Sequence, residues 1–118
     1  MADFKKLHVW GKAHALMLNV YRVASGIRGA PNVSLRNQSV RAAMSIPANI
    51  VEGRAQKGDR EFARFLRIAL ASAAELEYHL ITARDIRAIS QADFLSLLNQ
   101  LIEDRQMLHG LINRLGRD

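Results

Sequence analysis

The spacing of apolar residues constrains the fold of this chain more than any other feature. Four stretches place apolar residues at steps of three and four, which puts each set on one stripe of an α-helix. The stripes are Trp10, Ala13, Met17, Val20, Ala24 and Ile27; Leu35, Ala42, Ile46 and Ile50; Phe62, Leu66, Ala69, Ala73, Leu76, Leu80 and Ala83; and Phe94, Leu98, Leu101, Leu108, Ile112 and Leu115. The sequence therefore predicts four helices and an all-α fold.

Segments rich in helix breakers separate the four stretches. GIRGAPNVS ends in Ser34 and RAQKGD ends in Asp59, and both final residues suit a helix N-cap. Ser90 and Asp93 have the spacing of a capping box. Because the connections are short, consecutive helices should run antiparallel. We predict a single domain over residues 1–118, folded as an up-down-up-down four-helix bundle.

Pro47 interrupts the second apolar stretch, within the segment SIPANIVEGR. Proline lacks the N–H that would bond the carbonyl of Ala43, and its ring crowds that carbonyl. We therefore expect the second helix to be kinked at Pro47, with Ser45 or Asn49 bonding backbone groups that the break frees. Gly53 offers a left-handed C-terminal stop for the same helix.

The apolar stripes are wider than one bundle core requires. Val9, Leu16 and Val23 flank the first stripe, and Phe65, Ile68 and Leu70 extend the third. The apolar surface thus exceeds the ~100° arc of a helix that faces a single core. We expect part of it to be buried against another subunit. The alternative is that four closely packed helices absorb all of it.

Positive charge is concentrated in the first half of the chain. The net charge is +6, and residues 1–58 carry nine basic and two acidic side chains, whereas residues 59–118 carry eight and nine. This asymmetry favours a polyanionic partner. The alternative is a basic surface that only prevents association. Since no stretch approaches the roughly 20 apolar residues of a membrane span, we expect no membrane partner. Cysteine is absent, so the chain does not report its redox compartment directly, and a cytoplasmic location is the default expectation.

A row of basic residues is the strongest candidate for a functional surface. The row comprises Arg54, Lys57, Arg60, Arg64 and Arg67. From Arg60 onward, the spacing places three guanidinium groups on one face of the third helix. Planar arginine forks suit phosphate oxygens, so the row predicts nucleic-acid binding through phosphates. The alternative is an ordinary solvated face in which Asp59 and Glu61 pair with some of these arginines.

Other basic residues could enlarge this surface, depending on how the helices pack. They are Arg36 and Arg41 on the second helix and Lys5, Lys6 and Lys12 near the start of the chain. Most aromatic residues fall on the core stripes and none alternates with the arginines, so we expect no stacking platform and no specific reading of bases.

The sequence offers little for metal binding or catalysis. The histidines are His8, His14, His79 and His109. None follows a glutamate by three positions, as the di-metal sites of helical bundles require. Glu75 and His79 share a helix face but supply only two ligands, and Glu52 suits a salt bridge with Arg41 or Arg54 better than a role as general base. Phosphate loops, nucleophile elbows and catalytic triads are not recognisable. We predict no catalytic residue, no metal and no cofactor.

Three segments, FKKLHVW, NQSVRAAMSIPANIVEG and REFARFLRIALASAAELE, together resemble the four-helix bundle family encoded in intervening sequences of bacterial 23S rRNA genes, a family mislabelled as a ribosomal protein. The matching positions are Phe4, Leu7, Val9, Trp10, Gln38, Arg41, Ala42, Ala43, Ser45, Ile46, Asn49, Ile50, Glu52, Gly53, Glu61, Phe62, Phe65, Leu66, Ile68, Ala69, Ser72, Glu75 and Leu76. The fourth helix matches only in pattern. The chain departs from many relatives at Val40, where they carry a second basic residue, and at Ala71, where they carry glycine.

The resemblance implies a homopentamer with a basic surface and no catalytic residues. Most stand-alone members have no assigned activity, whereas the related accessory variability determinant of diversity-generating retroelements is a nucleic-acid-binding partner of a reverse transcriptase. We therefore predict a non-enzymatic homo-oligomer that binds RNA or DNA as an accessory to a nucleic-acid enzyme, with a reverse transcriptase or another protein as candidate partner. The alternative is a protein-interaction scaffold of unknown role without meaningful nucleic-acid binding.

Overall fold

Four long helices form the computed structural model, which describes residues 3–116. They are α1 (His8–Ala24), α2 (Val33–Arg54), α3 (Asp59–Asp85) and α4 (Gln91–Leu115). Short 3₁₀ turns, Phe4–Lys6 and Ala30–Asn32, precede α1 and α2. Since residues 3–116 contain no strand, the predicted all-α class is confirmed.

Side-chain pairs between neighbouring helices establish their directions. Arg41 of α2 contacts Glu75 of α3, and Gly53, further along α2, lies against Phe65, which precedes Glu75 in α3. Similar pairs align α4 in the opposite direction to both α1 and α3. Within the described part of the chain, the Cα atoms of α1 stay more than 8 Å from those of α3, and the same holds for α2 and α4. The predicted up-down-up-down bundle is therefore confirmed, and it measures 49 × 21 × 20 Å.

The buried stripe of α1 is rotated relative to the predicted one. Val9 and Leu16 are buried in the core of the protomer, whereas Trp10 and Met17 are only half-buried. The indole of Trp10 packs edge-on against Phe4, with ring centroids 5.1 Å apart, so the largest side chain covers the end of the bundle instead of filling its centre. The four helices thus absorb much of the extra apolar surface of α1.

Helix α2 continues through Pro47 from Val33 to Arg54. The side-chain amide of Asn49 donates a 2.8 Å hydrogen bond to the carbonyl of Ser45. Pro47 frees the carbonyl of Ala43 instead, so the expected bond to a freed backbone group stays a prediction. The Ser45 hydroxyl shares a 2.7 Å hydrogen bond with that of Ser72 on α3. The kink at Pro47 stays a prediction.

Two predicted N-caps are each displaced from the observed position. The prediction that Ser34 caps α2 is wrong. The 3₁₀ turn Ala30–Asn32 leads directly into α2, so Asn32 occupies the N-cap position. Asp59 is the first residue of α3 instead of its N-cap, because Gly58 makes the turn with a φ of 84°. At that position the carboxylate of Asp59 still lies in the first turn, where the helix dipole favours negative charge.

Two other helix ends were also predicted, with different outcomes. The Ser90 hydroxyl accepts a 3.0 Å hydrogen bond from the backbone N–H of Asp93, so the predicted cap of α4 is confirmed. The prediction of a left-handed stop at Gly53 is wrong, because this residue lies inside α2 without a positive φ and Ala55 forms the C-cap.

A segment that spans a bilayer would need a longer apolar run than any helix between residues 3 and 116 provides.

Candidate nucleic-acid interface

The antiparallel topology gathers basic parts of the sequence at one end of the bundle. The start of α1, the end of α2, the start of α3 and the end of α4 meet there, and the 3₁₀ turn Phe4–Lys6 contacts both α1 and α2. We call this the basic end. Its exposed basic residues include Lys5, Lys6, Lys57, Arg60, Arg64 and Arg67. Folding therefore brings the basic start of the chain to the same end as the arginine row.

Three arginines of α3 share one exposed stripe, as their spacing predicted. Arg60, Arg64 and Arg67 are all exposed. At a rise of 1.5 Å per residue, Arg60 and Arg67 lie about 10 Å apart along the helix axis. The three guanidinium groups therefore form a short row on the outer surface of the bundle.

Arg60 and Arg67 border a shallow cleft of about 240 Å³, whose other walls include Leu115 at the end of α4. Among residues 3–116, neither arginine forms an ion pair. The carbonyl end of α4 carries partial negative charge, which favours cations beside it. A larger cleft of about 590 Å³ at the same end is lined by Lys6 and Arg114, but also by the carboxylate of Glu103 and by apolar side chains such as Leu7 and Met107.

Arg64 is held more firmly than its two neighbours in the row. Its guanidinium donates to the carboxylate of Glu61 at 3.2 Å and lies over the ring of Phe65, with its central carbon 4.6 Å from the centroid. The predicted pairing with Glu61 is thus present, whereas Asp59 forms no ion pair within the described residues. Exposed pairs of this kind contribute little stability, so Arg64 can exchange its partner for a phosphate at small cost.

Lys57 and Arg54, both members of the predicted row, differ in their exposure to solvent. Lys57 is exposed in the connection between α2 and α3, next to the row. Arg54 is half-buried, with its guanidinium 5.6 Å from the centroid of the Phe62 ring. The buried Nε of Arg54 has no hydrogen-bond partner among residues 3–116. Arg54 therefore turns partly into the protein, while Lys57 adds to the outer row.

Arg36 and Arg41 lie away from the row, at positions that the sequence could not specify. Arg36 is in the first turn of α2, at the opposite end of the bundle, and it donates a 3.2 Å hydrogen bond to the carbonyl of Ile27. Arg41 forms an ion pair with Glu75 of α3. Arg36 thus ties a loop to the helix, and Arg41 crosslinks two helices.

Glu75 also contacts His79, so the pair anticipated from the sequence exists. The Nε2–H of His79 donates to the Glu75 carboxylate at 3.0 Å. Burial lowers the pKa of His79, and the positive charge of Arg41 lowers it further. Glu52 forms no ion pair with Arg41 or Arg54 in the described part of the chain. Nor do residues 3–116 contain a group of three or more potential metal ligands.

One exposed aromatic residue lies on the same stripe as the arginines, although the spacing of the aromatic residues predicted no stacking platform there. Tyr78 is 65 % exposed on α3, eighteen residues after Arg60 in the same helix. Eighteen residues complete five full helical turns. This longer period, beyond the three-residue and four-residue steps of the row, is the signal that would have identified it.

Comparisons with known proteins agree with this architecture. The family model described as 23S rRNA-intervening sequence protein matches residues 5–110. The chain is similar to a crystal structure of a protein of unknown function from the S23 ribosomal protein family of Bacteroides thetaiotaomicron VPI-5482. The two share 25 % sequence identity with a TM-score of 0.82, over 88 % of this chain and 97 % of that chain. No curated protein matches the sequence.

Proposed function

The chain belongs to the family of 23S rRNA-intervening sequence proteins, and we propose that it is a non-enzymatic, homo-oligomeric bundle that binds nucleic acid through phosphates. In this role it serves as an accessory to a nucleic-acid enzyme, such as a reverse transcriptase. The binding surface is the arginine row of α3 together with Lys57.

The observation that carries this proposal is the state of Arg60 and Arg67. Both are exposed on one face of α3, and within residues 3–116 neither is engaged by a carboxylate. A phosphate can therefore approach without displacing a protein partner. Each neutralised phosphate also releases condensed counterions, which favours binding at low salt.

Oligomerisation would multiply this surface, and exposed apolar residues on α1 and α4 support it. Leu95 and Ile102 of α4 are 46 % and 41 % exposed, and they lie two turns apart on one face. Leu18 is also 46 % exposed, on α1, which is joined to α4 by the hydrogen bond between Asn19 and Gln100. We propose that copies of the chain associate through this α1–α4 face, in a pentamer as the family resemblance implies. Weak phosphate contacts on each copy would then combine into useful avidity.

Reversal of the two unpaired charges tests the proposal. The double variant Arg60→Glu, Arg67→Glu should lose most of its affinity for a labelled 20-nucleotide RNA or DNA, measured by fluorescence anisotropy across a salt series. The matched control is Arg28→Glu, Arg87→Glu, which changes the net charge equally on exposed residues at the opposite end of the bundle. Solution mass and circular dichroism show whether each variant keeps its assembly and fold.

The competing function, a protein-interaction scaffold, predicts a different result. In that case the wild-type protein binds neither RNA nor DNA even at low salt, although it assembles. Equal loss of binding in the α3 variant and the matched control would also contradict the proposal, because it would reduce the effect to net charge.

A further inference from the structure

We propose that the exposed stripe of α3 is a binding site for single-stranded nucleic acid, in which the arginines hold phosphates and Tyr78 stacks on an unpaired base. This inference rests on the proposed function and specifies its ligand. Unpaired bases offer their flat faces to aromatic side chains, whereas the bases of a duplex are already stacked on each other.

The shape of the stripe suits an extended strand. Between Arg67 and Tyr78 it presents Ala71 and Ala74, which are both exposed. These small side chains leave a flat path that no larger residue of the stripe obstructs. Arg67 and Tyr78 lie about 16 Å apart along the axis at 1.5 Å per residue. A stacked strand covers that distance with about five nucleotides at 3.4 Å each, and a more extended strand needs fewer.

The electrostatics along the path also suit a polyanion. Two carboxylates flank the stripe near Tyr78, and each is neutralised by a basic partner. Glu75 pairs with Arg41, and Glu77 accepts a 2.7 Å hydrogen bond from Arg105. The strand therefore meets unpaired arginines at one end of the stripe and no uncompensated carboxylate from Glu75 or Glu77 at the other.

Tyr78 has the exposure that stacking requires. Its ring is tilted by 53° against the imidazole of His79 at a centroid distance of 6.0 Å, and 65 % of the residue remains exposed. A tyrosine loses little conformational freedom on binding because it has two rotatable side-chain bonds. The side chain is thus available for a base and needs no rearrangement of the bundle.

The test compares single strands with duplexes on the full-length protein. The probes are labelled 20-nucleotide oligo(U) and oligo(dT), together with 20-base-pair RNA and DNA duplexes. Tyr78→Ala should weaken single-strand binding about tenfold, leave duplex binding unchanged and keep the same salt dependence, because stacking releases no counterions. Tyr78→Phe should bind as the wild type does.

The matched control is Tyr21→Ala. Tyr21 is 59 % exposed, but it lies on α1, whose Cα atoms stay more than 8 Å from those of α3 in the described residues, so its removal should change neither affinity. If Tyr78→Ala loses similar affinity for oligo(U) and oligo(dT), the site recognises unpaired bases in both RNA and DNA. If it loses affinity for only one of them, that strand is the preferred ligand.

Three results would overturn the inference. If the Arg60, Arg67 reversal abolishes binding while Tyr78→Ala keeps full single-strand affinity, phosphate binding is supported and the stacking site is refuted. If Tyr78→Ala weakens duplexes as much as single strands, the residue does not recognise unpaired bases. Absence of wild-type binding to all four probes would remove the proposed function and this inference together.

Discussion

Gly53 of α2 lies directly against Phe65 of α3. A Cβ atom on Gly53 would stand 2.7 Å from the Cβ of Phe65 and 3.0 Å from Cδ1 of Phe62. The nearer atom is attached to the backbone of α3 and cannot rotate away. This glycine therefore allows close approach of the two helices, although its position near the end of α2 had predicted a role as a helix stop.

We expect Gly53→Ala to destabilise the protein. Alanine favours a helix interior over glycine by about 1 kcal/mol, but overpacking a tight contact costs about 1–3 kcal/mol. The net loss should therefore be about 0–2 kcal/mol in the free energy of unfolding, measured by urea denaturation.

The control for this substitution is Gly11→Ala in α1. A Cβ at Gly11 would meet no atom within 4 Å, so only the helix propensity changes. Stability should rise by about 0.5–1 kcal/mol. If both glycine variants gain stability, the contact between α2 and α3 is looser than the structure indicates.

The class and topology of the fold could be predicted from the sequence because both depend on local information. The helical period, with the breakers near Gly26 and Gly58, suffices for four antiparallel helices. The rotation of the α1 stripe could not be predicted in this way. Whether Val9 or Trp10 enters the core depends on how much volume the other helices leave, and that is set by packing.

The same distinction between local pattern and packing applies to the residues of the candidate site. Arg60, Arg64 and Arg67 were correctly placed on one face, because spacing within a helix fixes it. The partners of Arg36 and Arg41 could not be read from the sequence, since the carbonyl of Ile27 and the carboxylate of Glu75 reach them only through the packing of the chain. Local patterns predict which side chains share a helix face, whereas contacts between elements decide which of them remain free.

Arg36 should affect stability more than nucleic-acid binding. Its guanidinium bonds the carbonyl of Ile27, a buried residue in the connection between α1 and α2. Arg36→Met removes this donor and should lower the free energy of unfolding by about 1 kcal/mol, with little loss of affinity for RNA or DNA. Arg67→Met should show the reverse, weaker binding with unchanged stability. Denaturation and anisotropy on both variants check the contrast, and a large loss of affinity in Arg36→Met would place that arginine in the binding surface after all.

The ion pair between Arg41 and Glu75 should contribute a modest coupling between α2 and α3. Both side chains are partly exposed, 54 % and 38 %, so solvent screens their attraction. A double-mutant cycle with Arg41→Met and Glu75→Gln should give a coupling energy of about 0.5–1 kcal/mol that decreases with added salt. A coupling that does not respond to salt would show that the contact is mainly packing.

Asp104 is the one charged residue buried in the core of the described chain. It is 1 % exposed, and its Oδ2 has no hydrogen-bond partner among residues 3–116. The pKa of Asp104 is raised from 3.8 to about 7, chiefly by burial and also by the neighbouring charge of Glu103, while Lys12 opposes the shift. The fold thus favours the protonated carboxyl, and ionisation places an uncompensated charge inside the bundle.

This burial predicts that Asp104 makes stability depend on pH. Between about pH 4 and pH 7 the folded state holds a proton that the unfolded state releases, so the contribution of Asp104 is largest near pH 4, falls as the pH rises, and is constant above about 7. Asp104→Asn should remove this slope and stabilise the protein at pH 8 by on the order of 3 kcal/mol, with little change at pH 4. Asp85→Asn, at an exposed position, should change stability by no more than about 0.5 kcal/mol at pH 8. Urea denaturation of the three proteins at pH 4 and pH 8 decides the matter: if Asp104→Asn is no more stable than the wild type at pH 8, the carboxylate is compensated in the folded protein.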